Sequence, residues 1–125
     1  MKTVLLVIIL SISCNAKSQK NIVYKMDEVD IKPHYVGGEY EMNHFIQTHL
    51  KWPSNDFGYS GYVMVSANVK IDGTLDSVLV SKKLCSFCDD EAKRVVGLMP
   101  KWSPAIKESK PVTCKIEIPI YFKLN

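Results

Sequence analysis

The chain has 125 residues and a mass of 14.2 kDa, room for one domain and too little for two. With 46% apolar and 23% charged residues it has a globular composition, neither disordered nor collagen-like. The formal charge of +3 comes from scattered cations, with no run longer than Lys82-Lys83, which argues against nucleic acid as the partner.

At the N-terminus, Lys2 precedes an aliphatic run from Val4 to Leu10, extended slightly by Ser11 and Ile12. A bilayer span takes about 18 apolar residues, so this run is too short to cross and fits the core of a secretory signal. Ala16-Lys17-Ser18 reads as a cleavage site that leaves Gln19 first. A second reading takes Cys14 as a lipid-modified first residue, although Ser11 stands where such signals carry a larger aliphatic. A third leaves the run as an uncleaved anchor. The expected organisation is a signal peptide over 1–18, an irregular extension over 19–36 and one domain over 37–125. Loss of Lys2 and Lys17 brings the charge of the mature chain close to balance.

In the extension, Ile22, Val23 and Tyr24 suit a short strand, and Asp27, Glu28 and Asp30 form an acidic patch. Gly37-Gly38 punctuates the chain. Met42, Phe45, Ile46 and Leu50 then fall in one stripe at helical spacing, which predicts a helix over 39–50. Glu39 and Glu41 suit the positive end of its dipole. Pro53 ends it by pushing Trp52 out of the helical region.

From Gly61 the period changes to two. Val63, Val65, Ala67, Val69 and Ile71 face one side, and Tyr62, Met64, Ser66, Asn68 and Lys70 the other. Asp72-Gly73 is a hairpin turn, and Leu75 to Ser81 is the return strand. The run Val78-Leu79-Val80 blurs which of its faces is buried. A second helix is expected over 89–99, with Asp89 as N-cap and Ala92, Val95, Val96 and Met99 as its apolar stripe. Pro100 stops it, and Trp102 to Pro104 is a rigid extended segment. After a polar turn over 107–110, Val112, Cys114, Ile116, Ile118, Ile120 and Phe122 alternate with polar residues in a closing strand. Pro119 lacks a ladder donor and marks an edge or a bulge there.

The fold class is α+β: a three-stranded antiparallel sheet with two helices packed on one face.

Outside the signal region the cysteines are Cys85, Cys88 and Cys114, and export permits a disulfide. An odd number leaves one thiol unpaired within the chain. Cys85 and Cys88 have the spacing of a redox pair. Such a pair wants its first cysteine at a helix N-terminus, and the charges of Asp89 and Asp90 oppose thiolate formation. A structural pair is the main reading and a thiol-redox protein the rival. Zinc takes about four ligands, and Cys114 would be a third without a histidine near the pair. His44 and His49 stand five apart, which is poor geometry for one ligand face. No metal, cofactor or catalytic residue is assigned, because no nucleophile can be matched to a base. Trp52 and Trp102 read as packing residues, with a binding platform as the alternative.

Several stretches, in order, resemble the C-terminal domain of the TonB energy transducer, in its Bacteroidetes-type form. They are Pro33 to Gly38, Phe45-Ile46 with Leu50 to Pro53, Gly61 to Val65, Ile71 to Gly73, Asp89 to Val96 with Met99 to Pro104, Lys110 to Val112, and Ile118 to Phe122. Val36 replaces a proline usual in that family, and Cys85 to Cys88 replaces a more ordinary loop. The resemblance covers about residues 30–124. It implies the TonB C-terminal-like fold, a periplasmic location and a non-enzymatic role. The chain then binds a protein or extended peptide, such as a segment of an outer-membrane transporter, by strand addition as an accessory to transport. By resemblance the partner-binding edge is Lys115, Ile116, Glu117, Ile118, Pro119, Ile120 and Tyr121. The sequence shows neither a spanning helix nor the long linker of full transducers. The alternative is a self-associating envelope protein that forms a homodimer through the same edge. Contact with a membrane is expected only if Cys14 is lipidated.

Overall fold

A computed structural model describes residues 22–52, 58 and 60–122. The expected signal peptide over 1–18, with Cys14, lies outside the described residues. In chain order the elements are β1 (Val23–Tyr24), a 3-10 turn (Met26–Glu28), β2 (His34–Tyr35), α1 (Gly38–His49), β3 (Gly61–Val69) and β4 (Leu75–Lys82). They continue with α2 (Ser86–Gly97), β5 (Trp102–Ser103), β6 (Ala105–Lys107) and β7 (Lys110–Phe122).

The antiparallel trio expected from the sequence is present, in the order β7-β3-β4, but the sheet is larger than three strands. β1 adds in parallel to β7 at Thr113 and Cys114, and β6 forms a hairpin with β7 through Lys107 and Lys110. β2 and β5 make a separate two-stranded sheet, in which Tyr35 faces Trp102. The extra strands are two or three residues long, too short to show a period, and β1 and β2 also pair far along the chain. From residue 22 onward, the segment expected to be irregular contributes strands to both sheets.

Alternation builds the core. Val63, Val65, Ala67 and Val69 of β3 are sealed from water with Ile116, Ile118, Ile120 and Phe122 of β7. Ile46 of α1 and Cys88, Ala92, Val95 and Val96 of α2 complete the same cluster. Each fully buried aliphatic side chain contributes roughly 1.5–3 kcal/mol relative to exposure. Ile71, expected on the buried face, lies beyond the end of β3 and is exposed in the turn.

β4 departs from simple alternation. Ser77 has a φ of +52°, and the register with β3 shifts between Ser66 and Asn68. That irregularity turns Leu79 to solvent while Val78 and Val80 pack against the core.

α2 starts earlier than its sequence suggests. Its N-cap is Cys85, whose Sγ accepts the Cys88 amide at 3.0 Å. Asp89 is not the cap but a first-turn residue whose Oδ1 accepts the Leu84 amide at 2.8 Å. An aspartate in the first turn satisfies the same helix end as a cap does, so the two are hard to tell apart in sequence.

Candidate functional site

Two neighbouring features converge on β7. The first is an unpaired edge. β3 runs alongside β7 from Gly61 opposite Phe122 to Val69 opposite Cys114. On the other side, β1 reaches only Thr113 and Cys114. β6 meets β7 only at residues 110–112. From Lys115 to Tyr121, the side of β7 away from β3 has no strand partner among the described residues. Pro119 sits in this stretch opposite Met64. A proline is accommodated in a paired strand when its nitrogen faces the unpaired side.

The second feature is a groove of about 480 Å³ between α1 and this edge. Asn43, Ile46, Gln47, Leu50, Trp52, Pro119 and Tyr121 line it. Residues 43, 46 and 47 share one face of α1, and residue 50 continues it past the helix end. None of the lining residues is charged. Trp52 stands edge-on to Phe122 with ring centroids 5.8 Å apart.

A charged clasp holds the wall of the groove. Glu91 of α2, 6% exposed, accepts from Arg94 Nε at 2.8 Å and Nη2 at 2.7 Å. Its Oε2 also accepts the Lys51 amide at 2.5 Å. Arg94 Nη2 donates to the His49 carbonyl at 2.8 Å. The two side chains therefore pin the end of α1 and the backbone leading to Trp52. The Arg94 hydrogen bonds hold the Glu91 carboxyl below the usual range, against its desolvation, and the Lys51 amide adds to this. Arg94 is raised in turn by Glu91.

On the outer face of the sheet, the Tyr62 and Tyr121 rings lie 5.6 Å apart. Lys82 Nζ stands 3.8 Å over the Tyr62 ring.

The seven residues expected at the partner edge divide by role. Ile116, Ile118 and Ile120 belong to the core, Lys115 and Glu117 are exposed, and Pro119 and Tyr121 reach the groove. The α1 contribution was missed. Its signal is the amide pair Asn43 and Gln47, four apart and beside the apolar stripe, which reads in sequence as an ordinary solvated flank.

The other candidates lie apart from this edge and groove. Cys85 and Cys88 form a disulfide, and Cys114 is a buried free thiol. Glu28 Oε1 accepts the Lys25 amide at 2.7 Å, and Asp30 Oδ2 accepts the Glu108 amide at 2.8 Å. In the expected acidic patch, Glu28 thus closes a local turn and Asp30 ties the N-terminal segment to the β6–β7 turn. His49 stacks on Phe45 at 4.0 Å. Among the described residues no three His, Cys, Asp or Glu side chains gather as metal ligands. Nor is any helix among them long and apolar enough to cross a membrane.

No curated protein matches the chain. The solution structure of the Helicobacter pylori TonB C-terminal domain (its residues 179–285) is similar in fold, with a TM-score of 0.50 at 20% identity, covering 69% of this chain and 79% of that one. Residues 55–124, more than half of the chain, match the family described as Gram-negative bacterial TonB protein C-terminal. The α+β fold around β3, β7 and two helices agrees with that match, and the chain belongs to the TonB C-terminal family.

Proposed function

We propose that the chain is a non-enzymatic protein-interaction module of the periplasm that takes an extended segment of another protein as an added strand on β7. The observation that carries this reading is the unpaired side of β7 from Lys115 to Tyr121, beside the groove under α1. An added strand supplies partners to backbone groups that water otherwise serves, and pockets for alternate side chains give it specificity.

Every second side chain of such a strand points toward the helices. There Ile46, Leu50 and Trp52 offer apolar contact, and Asn43 and Gln47 offer amide groups. The lining is uncharged, so an uncharged side chain fits it best. Membership of the TonB C-terminal family, whose domains are non-catalytic, supports a periplasm-facing segment of an outer-membrane transporter as the partner. Either expected route, cleavage after Ser18 or lipidation at Cys14, would deliver the domain to that compartment.

The test is an NMR titration of isotopically labelled protein with extended transporter segments. Saturable shifts that cluster on Lys115 to Tyr121 and on Asn43 to Trp52 support the reading. Absence of shifts at millimolar peptide, with the fold intact, overturns it. A concentration-dependent dimer that buries β7 would assign the edge to a second copy of the chain instead.

A further inference from the structure

The Cys85–Cys88 pair is not accounted for by peptide binding. It closes a ring of only four residues at the start of α2. So short a loop constrains the unfolded chain little, so the bond is a weak staple. The two cysteines differ in burial. Cys88 is completely buried among core residues, whereas Cys85, the N-cap residue, is only partly covered. Phe87, between them, is 43% exposed.

We propose that this bond is a reversible modification site, opened and closed by exchange with a vicinal dithiol of another exported protein, and that Cys85 is the sulfur attacked. A thiolate of the partner forms a bond to Cys85 Sγ and breaks the Cys85–Cys88 bond. The bonding electron pair leaves on Cys88 Sγ, which then takes a proton. The partner's second thiolate attacks the partner sulfur of the mixed disulfide and expels Cys85 as a thiolate, which is protonated in turn. Two electrons and two protons have then passed from the partner dithiol to the pair, and the partner holds a disulfide. The reverse sequence closes the bond again.

Three features of the fold favour this course. Exchange requires access to one sulfur, and Cys85 is the less buried of the two cysteines. The acidic residues that follow are offset locally. Asp89 is engaged by the Leu84 amide, and Lys83 and Lys93 share with Asp89 and Asp90 a shallow depression beside the helix start. Cys85 Sγ remains able to cap the Cys88 amide after reduction, so the helix has an acceptor in both states.

The test treats the oxidised protein with dithiothreitol and glutathione under native conditions, with acid quench and mapping of each cysteine. Expected are reduction of the pair with the far-ultraviolet circular dichroism unchanged, and a glutathione adduct located on Cys85. Single variants separate the roles: in Cys88→Ser, Cys85 should capture glutathione disulfide roughly tenfold or more faster than Cys88 does in Cys85→Ser. Equal rates in the two variants overturn the proposal. So does a wild-type pair that resists dithiol until denaturant is added, or an adduct on Cys88. If either variant fails to fold, the wild-type map alone decides between these outcomes.

Discussion

The Trp102 amide donates to the Gly73 carbonyl at 2.8 Å, which docks the β3–β4 turn against β5. Gly73 has a φ of +88°, and a Cβ there would overlap the Trp102 carbonyl oxygen. The turn is therefore a tertiary contact as well as a hairpin, and its partner Trp102 packs edge-to-face on Tyr35. Gly73→Ala combines an unfavourable backbone conformation with a steric clash. It should cost about 3 kcal/mol, read as a shift in the urea midpoint. A loss below about 0.5 kcal/mol would show that the turn is not docked.

The uncharged lining of the groove leads to a specificity prediction. Gln47→Glu places a carboxylate in it without altering the helix stripe that packs on the core. Affinity for an uncharged segment should fall by roughly tenfold, and a peptide with Lys or Arg at the inserted position should regain most of the loss. Isothermal titration with the two peptides checks this. Equal affinity of the variant for both would separate the groove from the binding surface.

Glu91 makes stability depend on pH in a defined direction. Its folded-state value lies below its unfolded one, chiefly through the Arg94 hydrogen bonds. Such a carboxyl contributes stability that is present above the unfolded value and is lost as pH falls through the folded value. The contribution is thus complete above about pH 4.5 and declines in more acid solution. Glu91→Gln should cost about 1–2 kcal/mol at neutral pH, with the difference from wild type shrinking in acid. Urea titrations at both ends of that range measure it, and a pH-independent difference would contradict the assignment.

Cys114 should be inert in the folded protein. Burial pushes its thiol up, Glu28 adds to the shift, and its Sγ lies 3.8 Å from Met26 Sδ. Alkylation by iodoacetamide should be at least about a hundredfold slower than for a free thiol and should follow global unfolding. Rapid modification under native conditions would mean that β1 and the turn after it open locally.

The helices and the three long strands are legible because burial imposes their periods on neighbouring residues. Val63 to Val69 and Cys114 to Phe122 alternate cleanly, and Ala92, Val95 and Val96 repeat at helical spacing. What escapes is non-local or irregular. Nothing in Val23-Tyr24 says that it lies parallel to Thr113-Cys114. The positive φ of Ser77 hides the burial pattern of β4. The edge of β7 was readable from Pro119, whereas the groove needed the placement of α1 beside it. Asn43 and Gln47 acquire meaning only from that neighbour.

The unbroken register between β3 and β7 also has a mechanical side. A strand laid along the open side of β7 would transmit tension parallel to the β3–β7 ladder. Its hydrogen bonds, from Gly61 opposite Phe122 to Val69 opposite Cys114, would then be loaded together in shear. A peel from one end would break them in succession. The same domain would accordingly resist a pull along β7 much more strongly than a pull across it.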